Sequence, residues 1–208
     1  MELVVIKVLV LVFSVVVHEV AHGWSALKLG DDTALRAGRL TLNPLPHIDP
    51  IGSIVVPVIM AATIGFPLGW AKPVPVHPGR LRNPDDDHPK VAAAGPASNF
   101  LLAFVSAVLF GIALAAAGPS ARIGHAEPSL WSFLVNLFFV GIFINVLLAV
   151  FNLIPVPPLD GSWILSRFLR GEVRARYENL RRYGMMGFVF LIILLNYTPV
   201  GSFFRSLY

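Results

Sequence analysis

His18, Glu19 and His22 spell His-Glu-x-x-His. Residues four apart on an α-helix share a face, one turn apart. Two imidazoles so placed can grip one divalent cation, and the carboxylate beside them can act as a general base toward water. A catalytic zinc takes three protein ligands and keeps one position open. The chain has no cysteine, so the third ligand must come from His, Asp or Glu. Candidates are Asp160, His47, Asp49, His77, His88 and His125, of which Asp160 is the best placed. It lies in the run NLIPVPPLDG, Asn152 to Gly161, where prolines stop a helix and a glycine permits a sharp turn.

The elements that must carry these residues are apolar. Hydrophobic types make up 56% of the 208 residues and charged types 13%, against about 25% charged in an ordinary soluble domain. Mean hydropathy is +0.73. This excludes a disordered chain, a coiled coil and a typical soluble enzyme. The pattern predicts an all-α polytopic membrane protein with four transmembrane helices, over 3–29, 91–117, 130–154 and 185–204. A fifth apolar stretch, 51–69, contains Pro57 and Pro67 and reads as a re-entrant hydrophobic hairpin. Segments 36–48 and 71–77 carry short alternating patterns, candidates for a small β-hairpin or sheet, and 78–90 reads as a polar loop. The first apolar run leads straight into His18, so it is a retained helix and not a cleaved signal sequence. Ionisable groups in such a helix cost a few kcal/mol, and a divalent cation is a good partner for them.

Net charge is +4 and the pI about 9.8. Thirteen of the 16 Lys and Arg fall in three groups, after the first helix, after 51–69 and after 130–154. If 51–69 dips in and returns, all thirteen lie on the cytoplasmic side, as the positive-inside bias favours; a full crossing is the alternative. The basic residues therefore set membrane orientation, and no nucleic-acid partner is expected. Residues 166–183 form a basic cytoplasmic segment suited to an anionic leaflet, with Glu172–Arg176 and Arg174–Glu178 at helical pair spacing. Asp85, Asp86 and Asp87 read as a solvated acidic turn, and His47 and Asp49 as loop hydrogen-bonding groups.

Together, HEVAH in an apolar helix, AAAGPASN from Ala92 to Asn99, and NLIPVPPLDG resemble the site-2 protease family of intramembrane zinc metalloproteases. The resemblance covers a core of about 10–165 in one membrane-embedded protease domain, 1–208, with 184–208 as a terminal helix. It implies one zinc ion held by His18, His22 and Asp160, with Glu19 as the base. It implies that Asn152 contacts the substrate backbone or the developing oxyanion. Asn99 would face the site as a substrate-binding residue or make an interhelix hydrogen bond. The implied activity is that of a zinc metalloendopeptidase. It would hydrolyse peptide bonds in or near transmembrane helices of membrane protein substrates, as in regulated intramembrane proteolysis. The implied location is a prokaryotic plasma (inner) membrane, with the site toward the cytoplasm. A substrate helix must unwind to expose its carbonyls, and 36–48 or 71–77 would offer it an edge. The rivals are a metal ion transporter or channel using the His/Asp cluster, and an inactive membrane scaffold. A channel has no use for Glu19 as a base, and a scaffold should have lost a ligand that this chain retains.

Overall fold

The computed structural model describes residues 2–56, 71–117 and 129–184. The chain divides into two compact units, Met1–Val150 and Phe151–Tyr208. In the first unit α1 spans Glu2–Lys28, α2 Thr33–Arg36 and α3 Pro84–Ala117. Helix α4, Leu130–Asn152, closes just past its end. The second unit holds α5, Asp160–Ser166, and α6, Gly171–Asn179.

Helices α1, α3 and α4 are long and apolar enough to cross a membrane. Their outer faces carry bare hydrophobic side chains, Val4 and Leu9 on α1 and Phe104 and Ile112 on α3, as lipid-facing surfaces do. Beside apolar residues such as Ile6 and Val135, the buried positions of these helices include small and polar ones: Ser14, Ala103, Asn99 and Asn145. Small residues let helix backbones approach, and polar ones bond across helices where water is scarce. The expected helix at 185–204 and most of the 51–69 hairpin lie outside the described residues. Of that hairpin, Ile51–Val55 forms one π-helical turn.

Helix α3 begins earlier than the sequence pattern suggests. The expected polar loop at 78–90 ends at Asn83, and Asp85, Asp86 and Asp87 form the first turn of the helix. Pro84 suits the first helical position, where no backbone donor is needed. Carboxylates there complement the positive end of the helix dipole. Asp87 is buried: it accepts the Asn83 N–H at 2.9 Å and the Lys90 ammonium at 2.7 Å. An acidic triad followed by Pro89 imitates a loop in sequence but serves as a helix cap.

No strand forms among the described residues, and the sheet expected at 36–48 and 71–77 is replaced by other bonding. Two backbone donors of residues 71–77 go to carboxylates. Val74 N–H donates to Glu19 Oε2 at 2.7 Å and His77 N–H to Asp31 Oδ2 at 2.6 Å. Lys72 N–H reaches the His47 carbonyl. Pro73 and Pro75 have no N–H, so a ladder through this segment would lose alternate rungs.

Asp31 pins this segment just beyond the end of α1. Burial pushes its carboxyl up, but hydrogen bonds from the Thr33 hydroxyl, the His77 N–H and the Thr33 N–H, with the Arg80 charge nearby, hold it below its ordinary value of 3.8. A carboxylate held low in the fold stabilises above its unfolded value, and that contribution fades as pH falls through the folded one. Asp31→Asn places an amide donor against backbone donors, and is expected to cost about 1–3 kcal/mol near neutral pH. Thermal unfolding in detergent should show the gap from wild type shrinking as pH drops below 3.8. A gap independent of pH would remove the charge from the explanation.

The second unit is short and tightly turned. A Cβ on Gly161 would fall 2.1 Å from the Leu153 carbonyl oxygen. Glycine is therefore needed for close approach, whereas its dihedrals are not among the positive-φ glycines. Tyr177 donates to the Pro155 carbonyl at 2.7 Å, and the Arg181 guanidinium stacks on Trp163 while bonding the Ser162 carbonyl. Both expected ion pairs form, Arg174–Glu178 at 2.8 Å and Arg176–Glu172 at 2.7 Å.

Candidate metal centre

The paired imidazoles sit past the middle of α1, on the face turned to α3. Their outer nitrogens meet: His18 Nε2 lies 3.0 Å from His22 Nε2. Their inner nitrogens are anchored to acceptors. His18 Nδ1 lies 2.6 Å from Asn99 Oδ1, and His22 Nδ1 lies 2.7 Å from the Val91 carbonyl oxygen. An oxygen acceptor can be met only by N–H, so each neutral ring carries its proton on Nδ1 and a lone pair on Nε2. Two lone pairs facing each other at 3.0 Å repel unless a positive charge lies within reach of both. The donor set therefore fits a cation that favours imidazole, zinc among them. An N–H anchored by a carbonyl is the usual orienting contact behind a metal-bound histidine.

Gly95 on α3 supplies the room. A Cβ there would stand 2.4 Å from His22 Nε2 and 2.6 Å from His18 Nε2. The bare backbone of α3 thus faces the spot on which both ring nitrogens converge. Neither Gly95 nor the Val91 carbonyl was singled out by spacing. The Gly-Pro step in AAAGPASN was the available signal for the first, while backbone atoms leave none in the sequence.

Glu19 is half-buried beside the pair. One of its oxygens takes the Val74 N–H, which fixes the carboxylate and leaves the other oxygen as an acceptor. Gly23, one turn farther along α1, lets Val74 come close, since a Cβ there would lie 2.9 Å from Val74 Cγ1. With prolines at 73 and 75, the segment offers an added chain carbonyl oxygens but no donor at those two positions.

Asn99 is fully buried, and its amide bonds His18 on α1 and Asn145 on α4. His47 is buried with Nε2 at 3.0 Å from the Thr41 carbonyl oxygen, and Asp49 accepts the N–H groups of Ile51 and Gly52. Both serve local turns. His88 falls within α3 and His77 is exposed. His125 lies outside the described residues. In the second unit Asn152 is the last residue of α4 and Asp160 the first of α5. Next to Asp160, the Gly161 backbone passes so close to Leu153 and Ile154 that a Cβ there would run into their carbonyl oxygens.

The sequence profile of peptidase family M50 matches residues 74–195. The chain is 39% identical over 196 residues to "Putative zinc metalloprotease YwhC" of Bacillus subtilis (strain 168), covering 94% of this chain and 82% of that one. It is 33% identical over 199 residues to "Putative zinc metalloprotease Rip2" of Mycolicibacterium smegmatis, covering 94% and 68%. A shorter match, 33% over 81 residues, is to "Putative zinc metalloprotease MJ0611" of Methanocaldococcus jannaschii, covering 39% and 35%. No solved structure matches significantly.

Proposed function

The chain belongs to peptidase family M50, and on that premise we propose that His18, His22 and Asp160 hold its zinc ion while Glu19 serves as the base. The protein is an intramembrane zinc metalloprotease of the site-2 type, built on apolar helices that cross the bilayer. One observation within the chain carries the metal reading: two Nε2 atoms 3.0 Å apart, each on a ring whose Nδ1 is already tied to an oxygen. Asp160 is supported by ligand chemistry, because two histidines leave a catalytic zinc one protein ligand short, and by its place in the Asp-Gly step of NLIPVPPLDG.

Bound zinc would polarise the scissile carbonyl and make water acidic enough to be used near neutral pH. The chain's own groups do the rest. The free oxygen of Glu19 accepts the proton of the attacking water and returns it to the leaving amine. Asn152 donates its amide N–H toward the oxygen on which charge develops. The low dielectric around the helices strengthens both interactions. The substrate is a transmembrane segment of another membrane protein, unwound locally so that its carbonyls are free. Residues 1–208 act as one protease domain, in a prokaryotic inner membrane with the site toward the cytoplasm, which the three basic groups favour.

The direct test is metal content. Purified wild type should carry one zinc per chain, and Asp160→Asn should bind it at least about tenfold more weakly. Removing the metal with a chelator should stop cleavage of a model membrane helix, and zinc should restore it. Wild-type affinity in Asp160→Asn would remove this residue from the ligand set.

A further inference from the structure

We propose that Asn145 is a positioning residue for the metal centre, fixing through Asn99 which nitrogen of His18 carries the proton. The inference rests on His18 being a zinc ligand, and concerns a residue two bonds removed from it.

The Gly141 backbone carbonyl only accepts, and Asn145 approaches it at 2.9 Å within α4. The Asn145 atom facing it must therefore be Nδ2, since an oxygen there would set two acceptors against each other. Nδ2 also donates to Ser14 Oγ on α1 at 2.9 Å. With both its N–H bonds so committed, Asn145 presents Oδ1 to Asn99 at 2.8 Å. Asn99 must answer with its own Nδ2, which also lies 3.4 Å from the Ser14 carbonyl oxygen, another pure acceptor. Asn99 Oδ1 then faces His18 Nδ1 at 2.6 Å, and the ring must supply N–H there. The lone pair falls on Nε2, beside His22.

Every member is buried: Ser14, Asn99 and Asn145 are 0%, 0% and 3% exposed. Water cannot readily substitute for a missing partner, so the order of donors and acceptors is held by protein alone. His22 needs no such chain, because a backbone carbonyl meets its Nδ1 directly. His18 has a side-chain amide in that place, and an amide can turn over. Asn145 is what prevents it.

The test reads zinc affinity by chelator competition, and the His18 proton position by nitrogen NMR of histidine-labelled, metal-free protein. Wild type should show His18 protonated on Nδ1. Asn145→Leu should weaken zinc about 10- to 100-fold and shift His18 toward the Nε2–H form. Asn99→Asp combined with Asn145→Leu should recover affinity to within about threefold, since a carboxylate accepts from His18 whichever way it turns. A packing role for Asn145 would not be rescued from position 99. Unchanged affinity and proton position in Asn145→Leu would overturn the proposal. So would a double variant that stays at least about tenfold weaker than wild type, a comparison that needs no measurement on Asn145→Leu itself. His18→Ala separates the two readings: if it keeps wild-type zinc affinity, the ligand assignment itself fails.

Discussion

Glu19→Gln is expected to keep its zinc and lose cleavage by about 10²- to 10⁴-fold, the range contributed by a positioned proton acceptor. The substitution is nearly isosteric. The amide oxygen can still accept the Val74 N–H that Glu19 Oε2 takes at 2.7 Å, so residues 71–77 should stay against α1. Neither the His18 nor the His22 anchor involves position 19, so the ring nitrogens should still converge. What disappears is the second oxygen as a proton acceptor, because a carboxamide is far too weak a base. The measurement pairs zinc content with cleavage of a membrane-helix substrate in lipid vesicles. Loss of both would mean that Glu19 works through structure. Retention of both would reject it as the base.

The His-Glu-x-x-His motif was legible because its chemistry is local: three letters in five residues, on a helix whose apolar run is unmistakable. The three long helices were legible for the same reason, with α1 ending at Lys28 and α4 at Asn152, both within two residues of the pattern-based bounds. What escaped were contacts made by backbone atoms or between distant helices. His22 is oriented by a carbonyl at Val91, 69 residues away, and a carbonyl has no signature in a sequence. Asn145 looks like an isolated polar residue in an apolar helix until α1 and α3 bring Ser14 and Asn99 to it. The β pattern at 71–77 misled because alternating valines satisfy strand spacing. The carboxylates of Glu19 and Asp31 nevertheless take the N–H groups a ladder would need. Asp85 to Asp87 misled in the opposite direction, since charge and proline mark both a loop and the start of a helix.

Gly95→Ala should separate metal binding from folding more cleanly than any ligand substitution. Alanine inside a helix is worth about 0.5–1 kcal/mol over glycine, and no charge or hydrogen bond is removed. By helix propensity alone the metal-free protein should be as stable as wild type or slightly more so. The added methyl, however, would lie 2.4 Å from His22 Nε2 and 2.6 Å from His18 Nε2, well inside van der Waals contact. Either the rings rotate away, straining the bonds to Asn99 and Val91, or α3 withdraws and loosens the polar contacts at Asn99. Overpacking of this kind costs about 1–3 kcal/mol, and here it falls on the nitrogens that must converge. Zinc affinity should therefore drop at least about tenfold, with cleavage falling in step at limiting zinc. Unfolding followed with and without zinc reads both effects in one protein: the metal-free transition falls by the net of the two, about 0–2.5 kcal/mol, while the stabilisation added by zinc shrinks as well. Should Gly95→Ala bind zinc as wild type does, the metal does not sit where α3 faces the two imidazoles. Their convergence would then have to be explained without it.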